Sequence, residues 1–162
     1  MRLIFARHGE SQANVEQIIS NRDLPHPLTK QGKAQARELA EMLTQRNMSA
    51  IYASPLLRAQ ETAQIVSERV GLPLMTTDAL REFDCGIAEG RGDAEAWQLL
   101  NDVVADWSNR QNYDQRIEGG ESFNDMLDRF KPFVNSLIEE FGSRSGNVLC
   151  VTHGALLTQM LP

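Results

Sequence analysis

The segment LIFARHGE, residues 3–10, decides which fold this chain can adopt. Its first four residues are apolar without alternation and rich in strand formers, which is typical of a strand buried on both faces of a parallel sheet. The polarity then changes at once to Arg7, His8 and, after a glycine, Glu10. Because ligands bind beyond the carboxyl ends of the strands in open α/β sheets, we expect this strand to end at a functional site.

Three further segments have the composition of strands, namely residues 48–53, 72–75 and 148–151. Between them, apolar residues recur at the helical spacing i, i+3, i+4 and i+7. Helices are expected downstream of an N-cap at Thr29, from Ser54-Pro55 to Gly71, over 96–107 and over 123–141. In the second of these, Ser54 should be the cap and Pro55 the first helical residue. Strands that alternate with helices predict an α/β fold, a three-layer sandwich with a mainly parallel sheet and helices on both faces.

Length and composition fit a single domain over residues 1–162, of which 41% are hydrophobic. The formal charge of -6 disfavours binding to nucleic acid or to an anionic membrane surface, and no apolar stretch approaches the ~20 residues of a membrane span. Two cysteines, Cys85 and Cys150, are too few for a disulfide scaffold, so a cytoplasmic location is expected. The polar stretch from about residue 86 to 120 is the candidate insertion, and we expect it to form a lid.

Polar side chains follow all four predicted strands: RHGE at 7–10, Ser54-Pro55 leading to Arg58, Leu80-Arg81-Glu82, and Thr152-His153-Gly154. Each alone has an ordinary structural explanation, since a histidine at a strand end is more often a hydrogen-bonding residue than a catalyst. Two of the three histidines, however, both end strands and both precede glycine, which permits close approach of the backbone to a ligand. The sequence therefore predicts that these side chains converge on one site.

Such a set suits the transfer of a phosphoryl group. A phosphate monoester repels anionic nucleophiles, so a neutral imidazole such as His8, flanked by the guanidinium groups of Arg7 and Arg58, is a suitable attacking group. His153 could stabilise the phosphoryl oxygens, and Glu82 could protonate the departing alkoxide. Glu82 would then have to be protonated when substrate is bound. Nearby arginines oppose that protonation, whereas burial and a bound phosphate favour it.

The motifs that carry these residues resemble those of the histidine phosphatase superfamily, also called the phosphoglycerate mutase-like family. The resemblance covers nearly the whole chain, and six motifs stand in the family's order. They are RHGES at 7–11 with Asn14, LTKQG at 28–32 with Gln35-Ala36, SPLLRAQETA at 54–63, Leu80-Arg81-Glu82, GGES at 119–122 and VTHG at 151–154.

This resemblance implies a mixed α/β sheet fold and a phosphohistidine intermediate on His8. The residues that motif position assigns to the site are Arg7, Arg58 and His153 for the phosphate pocket, Glu82 as proton donor and Asn14 as a further contact to phosphate or water. It implies no metal and no other cofactor. The sequence agrees, because it contains no His, Cys and Asp cluster with metal-ligand spacing.

Three residues near these motifs leave alternatives open. Ala88 stands near the place where many family members have an aromatic residue such as Trp, a change that would widen the pocket wall. Cys85 offers a rival nucleophile with a histidine base, although it lacks a phosphate-cradling loop and would leave His8 without a task. His26, between two prolines, is expected to lie in a loop, with contact to the substrate as the alternative.

Members of the family are hydrolases, which pass the phosphoryl group to water, or mutases, which return it to another hydroxyl of the substrate. The segment 86–120 contains three arginines and seven acidic residues, a poor clamp for a multiply anionic phosphoglycerate. We therefore expect a metal-independent phosphomonoesterase that acts on a small phosphorylated metabolite. A cofactor-dependent phosphoglycerate mutase and a non-catalytic phosphate-recognition module are the alternatives.

Relatives of this kind generally continue beyond the helix that follows the second catalytic histidine, whereas this sequence stops at Leu161-Pro162. Two expectations follow from this difference. Either the sequence is a truncated form of a longer protein, or the edge of the sheet is closed in another way, such as pairing in a homodimer.

Overall fold

A four-stranded parallel sheet forms the centre of the computed structural model, which describes residues 1–143 and 145–161. The strands are β1 (Arg2–Arg7), β2 (Met48–Ala53), β3 (Leu74–Thr76) and β4 (Asn147–Thr152), in the order β1-β4-β2-β3. Every pair of neighbouring strands is parallel. The four predicted strands are confirmed, although β3 begins later than expected. Pro73 explains the delay, because proline has no N–H to donate to a neighbouring strand.

Helices flank the sheet. In the described ranges they are α1 (Gln12–Glu16), α2 (Lys30–Thr44), α3 (Leu57–Val70), α4 (Ala94–Arg110), α5 (Phe123–Phe141) and α6 (Gly154–Met160). The start of α2 is as predicted, since the Thr29 hydroxyl accepts a hydrogen bond from the N–H of Gly32 at 3.0 Å. No helix within these ranges is both long enough and apolar enough to cross a membrane.

Alternate residues of the strands pack on opposite faces of the sheet. On β4, Val148 and Cys150 belong to the core that includes α4, α5 and α6, whereas Leu149 and Val151 belong to the core that includes α2 and α3. A parallel strand buried on both faces needs apolar side chains at successive positions, which explains why this strand reads as a continuous apolar run. The predicted three-layer sandwich is confirmed.

The start of α3 differs from the prediction. The helix begins at Leu57 instead of Pro55, and no side chain caps it. The hydroxyl oxygen of Ser54 lies 2.7 Å from Nε2 of His153 and accepts a hydrogen bond from the N–H of Leu56 at 3.3 Å. Ser54 therefore serves a side chain at the end of β4, a long-range contact that the local pattern could not show. The other end of α3 is as predicted, because Gly71 adopts a left-handed φ of 79°.

The segment 86–120 is closed at its base. The N–H of Ile87 donates to the carbonyl oxygen of Glu118 at 2.9 Å, and the N–H of Glu121 donates to that of Asp84 at 2.9 Å. Gly86 has a φ of 54°, and a Cβ at this position would collide with the Glu118 carbonyl. Helix α4 lies between the two tied ends. Its expected role as a lid stays a prediction.

Candidate active site

A cavity of about 220 Å³ lies at the carboxyl ends of the parallel strands. Five of the six predicted site residues line it, namely Arg7, His8, Asn14, Arg58 and Glu82. The sixth, His153, is 1% exposed and lies next to His8, with their ring centroids 5.1 Å apart. A second cavity, of about 310 Å³, shares Arg7, His8 and Asn14 and adds Glu10 and Gln35. The side chains that the sequence predicts to converge do lie together.

His8 is buried and held in one tautomer. Its Nδ1 lies 2.7 Å from the carbonyl oxygen of Gly9, and its Nε2 lies 3.0 Å from Nε of Arg58. Since a carbonyl only accepts and a guanidinium only donates, Nδ1 carries the proton and Nε2 holds the lone pair. Burial, and then the positive charge of Arg58, lower the pKa of His8 to about 3. The imidazole is therefore neutral near pH 7.

Arg58, in the first turn of α3, is fixed beside that lone pair by two further acceptors. Its Nη1 donates to the carbonyl oxygen of Ser20 at 2.6 Å, and its Nη2 donates to Oδ1 of Asn21 at 3.4 Å. Burial lowers the pKa of Arg58 to about 10, which leaves the guanidinium charged near neutral pH. The cation is thus held in place before any ligand arrives.

Arg7 and Asn14 present donors that no other described residue uses. The Arg7 guanidinium has no hydrogen-bond partner within residues 1–143 and 145–161, and it lies beside Gly154 at the start of α6. Oδ1 of Asn14 accepts from the N–H and the hydroxyl of Ser11 at 3.0 Å each, which completes the capping box of α1. Nδ2 of Asn14 has no partner in the described part of the chain.

His153 has one partnered and one unpartnered nitrogen. Its Nε2 lies 2.7 Å from the Ser54 hydroxyl, while its Nδ1 is buried and has no hydrogen-bond partner among the described residues. Burial, followed by the charge of Arg58, holds the pKa of His153 well below its usual range. A buried polar atom without a partner costs about 1–3 kcal/mol, which a suitable ligand would recover.

The buried carboxylate of Glu82 lies against the first turn of α6. Oε1 accepts from the N–H of Leu156 at 2.8 Å and from that of Phe83 at 3.2 Å, and Oε2 accepts from the N–H of Ala155 at 2.8 Å. These bonds favour the ionised carboxylate, but burial outweighs them and raises the pKa of Glu82. Glu82 therefore takes up a proton more readily than an exposed glutamate does.

Arg129 on α5, which the sequence prediction did not single out, holds the segment that carries Glu82. Its Nη1 donates to the carbonyl oxygens of residues 78, 79 and 81 at 3.2, 3.1 and 3.0 Å. The remaining carbonyl of this run, that of Leu80, accepts from the hydroxyl of Thr152 at 2.6 Å. Two side chains thus satisfy every carbonyl from 78 to 81, and both fix the backbone that leads to Glu82.

The GGES motif at 119–122 anchors Arg129. The carboxylate of Glu121 accepts from Nε of Arg129 at 2.9 Å and from its Nη2 at 3.1 Å, and it also accepts from the N–H of Asp84 at 2.9 Å. The motif was visible in the sequence, but its partner eight residues downstream carried no signal of its own. The motif is needed because its Glu121 carboxylate joins Arg129 on α5 to the backbone of Asp84.

The three residues that left alternatives open in the sequence all lie outside the lining of both cavities. Ala88 is fully buried in the core that includes α4 and lines neither cavity, and the effect of a small side chain there on the pocket wall stays a prediction. Cys85 is fully buried and lines neither cavity, and burial raises the pKa of its thiol, which argues against a cysteine nucleophile. His26 also lines neither cavity, and its Nδ1 lies 2.7 Å from the Ser20 hydroxyl.

The apolar part of the cavity was missed by sequence reasoning. Ile18, Ile19, Trp97 and Leu100 line it, together with Phe83. No polar motif marks these residues, and their spacing is that of ordinary core positions. Only the meeting of α4 with the segment after α1 turns them into a cavity wall.

Comparison with known proteins identifies the family of this chain. The model of the histidine phosphatase superfamily (branch 1) matches residues 3–162. The chain is 32% identical over 166 residues to the Salmonella choleraesuis protein named "Probable phosphoglycerate mutase GpmB", covering 97% of this chain and 71% of that protein.

Two solved phosphatases have similar structures. The α-ribazole phosphatase of Shigella flexneri is 32% identical with a TM-score of 0.78, covering 98% of this chain and 76% of that one. Mycobacterial glucosyl-3-phosphoglycerate phosphatase is 29% identical with a TM-score of 0.80, covering 99% of this chain and 80% of that one. Sequence and fold agree over almost the whole length, and the chain belongs to the histidine phosphatase superfamily, branch 1.

Proposed function

We propose that this protein is a metal-independent phosphomonoesterase that holds the phosphoryl group of a small metabolite transiently on Nε2 of His8. The observation that carries the proposal is the buried, neutral His8. Its lone pair lies 3.0 Å from a fixed guanidinium, at a cavity that also contains Arg7 and Glu82. A neutral nucleophile between two cations is what attack on an anionic ester requires.

In the first step, Nε2 of His8 attacks phosphorus and the bond from phosphorus to the ester oxygen breaks. Arg58 must first give up its hydrogen bond to Nε2, and the phosphoryl oxygens offer the replacement acceptors. Arg7 supplies donors that have no partner among the described residues, and so does Nδ1 of His153 when the Ser54 hydroxyl donates to its Nε2. Nδ2 of Asn14 is a further free donor at the same cavity.

Glu82 supplies the proton that the leaving oxygen needs. In the second step a water molecule attacks the phosphohistidine, its proton passes to Glu82, and the bond from phosphorus to Nε2 breaks to release inorganic phosphate. The raised pKa of Glu82 supports both roles, because the group must give and take a proton in one cycle.

The charge of the segment 86–120 favours the hydrolase over the mutase. Arg91 pairs with Asp93 at 2.7 Å, and the other two arginines of the segment, Arg110 and Arg116, also pair with carboxylates, at 2.6 and 2.8 Å. None of the three lines either cavity beside His8. A mutase must retain its phosphoglycerate between two half-reactions. The segment 86–120 offers no cavity-lining cation to hold the carboxylate of such a substrate.

A cytoplasmic location and a homodimer are part of the same proposal. The location is supported by the two cysteines, which are both free and buried, as suits a reducing compartment. For the dimer, the support is that β1 and β3 form the edges of the described sheet, where a strand of a second chain can pair.

Phosphate release from 4-nitrophenyl phosphate in the presence of EDTA tests the proposal. His8→Asn should lower turnover by about a thousandfold or more and abolish the acid-labile phosphoenzyme, whereas His26→Asn, at a histidine outside both cavities, should retain both. Wild-type protein that interconverts 2- and 3-phosphoglycerate faster than it hydrolyses either would establish the mutase instead. Binding of inorganic phosphate without turnover or phosphoenzyme would establish the recognition module.

A further inference from the structure

We infer that the substrate is a phosphate monoester of an uncharged alcohol with an apolar face, and that the site selects against a second anionic group. This inference rests on the proposed function and adds to it the chemical class of the leaving group. Its evidence is the lining of the two cavities beside His8, the apolar wall of the 220 Å³ cavity, and the charges that the described residues bring to both.

The lining of the 220 Å³ cavity divides into two chemical kinds. The polar lining comes from the carboxyl end of β1 and the start of α3, from Asn14 on α1, from residues 20–21 and from Glu82. Its apolar lining comes mainly from α1 with the segment after it, and from α4. These apolar residues are Ala13, Ile18, Ile19, Phe83, Trp97, Leu100 and Ala155. A ligand whose phosphoryl group sits at His8 thus meets carbon atoms where its alcohol part must go.

Hydrogen bonds hold this apolar wall in place. The indole N–H of Trp97 donates to the carbonyl oxygen of Gln17 at 2.9 Å. Backbone bonds join Ile19 to both Gly90 and Arg91, at 2.8 and 2.9 Å. The segment after α1 and the segment 86–120 are therefore tied together before a ligand binds. A wall that is already ordered discriminates between ligands without an ordering cost.

The two cavities beside His8 offer no cation for a second anionic group. An adjoining cavity that shares Asn21 and Glu82 contains Arg22, Arg81 and Arg129, but each of these arginines is already paired with a carboxylate. Among the described residues, Arg7 and Arg58 are the cations that line either cavity, and a phosphoryl dianion uses both. A further anionic group would instead meet Glu82 in the 220 Å³ cavity or Glu10 in the 310 Å³ cavity. Like charges placed together oppose binding, and apolar surface cannot solvate a carboxylate.

Two phosphonates that cannot be hydrolysed test the inference on the wild-type protein. 4-Carbamoylbenzylphosphonate and 4-carboxybenzylphosphonate have nearly the same shape and differ by one negative charge. We expect the neutral compound to bind at least about tenfold more tightly, measured by calorimetry and as a competitive inhibitor, with the difference shrinking as salt is added. Equal binding, or tighter binding of the carboxylate, would overturn the inference.

Leu99 and Leu100 provide a matched pair of variants. Both are half-buried neighbours on α4 that pack against the same core, but of the two only Leu100 lines the cavity. Leu100→Lys should improve binding of the carboxylate by about tenfold relative to the carboxamide, and Leu99→Lys should retain the wild-type ratio. A ratio that changes equally in both variants, or in neither, contradicts the assignment of Leu100 to the specificity wall.

The outcome separates this inference from the proposed function. If His8 forms no phosphoenzyme, the proposed function fails, yet calorimetry still compares the two phosphonates. If hydrolysis depends on His8 while the phosphonates bind equally well, the proposed function stands and the substrate class is wrong. Should Leu100→Lys fail to fold, the wild-type ratio alone decides.

Discussion

Replacing Arg129 by Met tests whether one side chain holds the segment that carries Glu82. Methionine keeps an unbranched apolar stem but removes every donor. In the folded protein the Arg129 side chain is 18% exposed and its ion-pair partner Glu121 is 27% exposed. Breaking such a largely buried pair leaves the Glu121 carboxylate with only the N–H of Asp84 and the carbonyls of Ala79 and Arg81 without their side-chain donor, so a loss of about 3 kcal/mol in the free energy of unfolding is expected.

The chain contains a matched control for this change. Arg69 donates to both carboxylate oxygens of Glu41 at 2.7 and 3.0 Å, a geometry like that of Arg129 with Glu121, but these side chains are 53% and 62% exposed. Arg69→Met should therefore lower the free energy of unfolding much less than Arg129→Met does. In thermal unfolding the two variants should differ clearly, since each kcal/mol is worth roughly 2–4 °C at this chain length. Equal and small losses in urea titration would refute the reasoning.

Activity gives a second readout that simple destabilisation would not reproduce. Arg129→Lys keeps the charge but loses the planar fork, so Glu82 should be displaced in a protein that still folds. The rate should fall by about 10- to 100-fold on an alkyl phosphate, whose leaving alkoxide needs a proton, and much less on 4-nitrophenyl phosphate. Glu82→Gln should show the same pattern. Equal losses on both esters would mean that Arg129 does not act through Glu82.

Turnover should persist well below pH 6.5, because His8 with a pKa of about 3 stays neutral there, and it should fall as the pH rises past the raised pKa of Glu82. Activity that is lost as the pH falls through 6.5 would contradict this. Folding stability should decline as the pH falls from about 6.5 towards 3, because the unfolded chain takes up a proton on His8 that the folded chain does not. In urea titrations, His8→Asn should make this decline less steep. Cys85→Ser should leave turnover within a few-fold of wild type, and near-total loss would reopen the cysteine nucleophile. Asn14→Asp should keep the capping bond to Ser11 but raise KM for phosphate esters. Asn14→Ala should raise KM and also lower the melting temperature, because it removes the cap. An unchanged KM in both variants would mean that Asn14 serves only as a capping residue.

Local patterns predicted the sheet and most of the site because each strand carries its own signal. The run 148–151 is apolar at every position, and the structure buries its successive residues on opposite faces of the sheet. Polar residues that follow such strands converge by topology alone, since the carboxyl ends of parallel strands lie at one edge. His8, Arg58 and Glu82 could therefore be placed together without knowing any side-chain conformation.

Long-range contacts could not be predicted in the same way. Ser54 looks like a helix cap from its sequence, but its hydroxyl lies beside His153, 99 residues away. Arg129 looks like a solvated helix residue, but it satisfies a run of carbonyls before Glu82. Both contacts escape local patterns for one reason, because a polar side chain can serve its own helix or a distant strand end, and periodicity does not distinguish the two.

The charges of the site explain why the binding of substrate and the protonation of Glu82 belong together. Before substrate binds, the guanidinium of Arg58 opposes protonation of the buried Glu82 carboxyl, while burial favours it. A phosphoryl dianion neutralises that guanidinium and adds negative charge beside the carboxyl, and both changes raise the pKa of Glu82 further. Before substrate binds, His8 and His153 add no positive charge beside Glu82, because burial and Arg58 keep both imidazoles neutral. The acid that the leaving group requires is thus prepared by the substrate's own charge, and a bound alcohol or water would not have that effect.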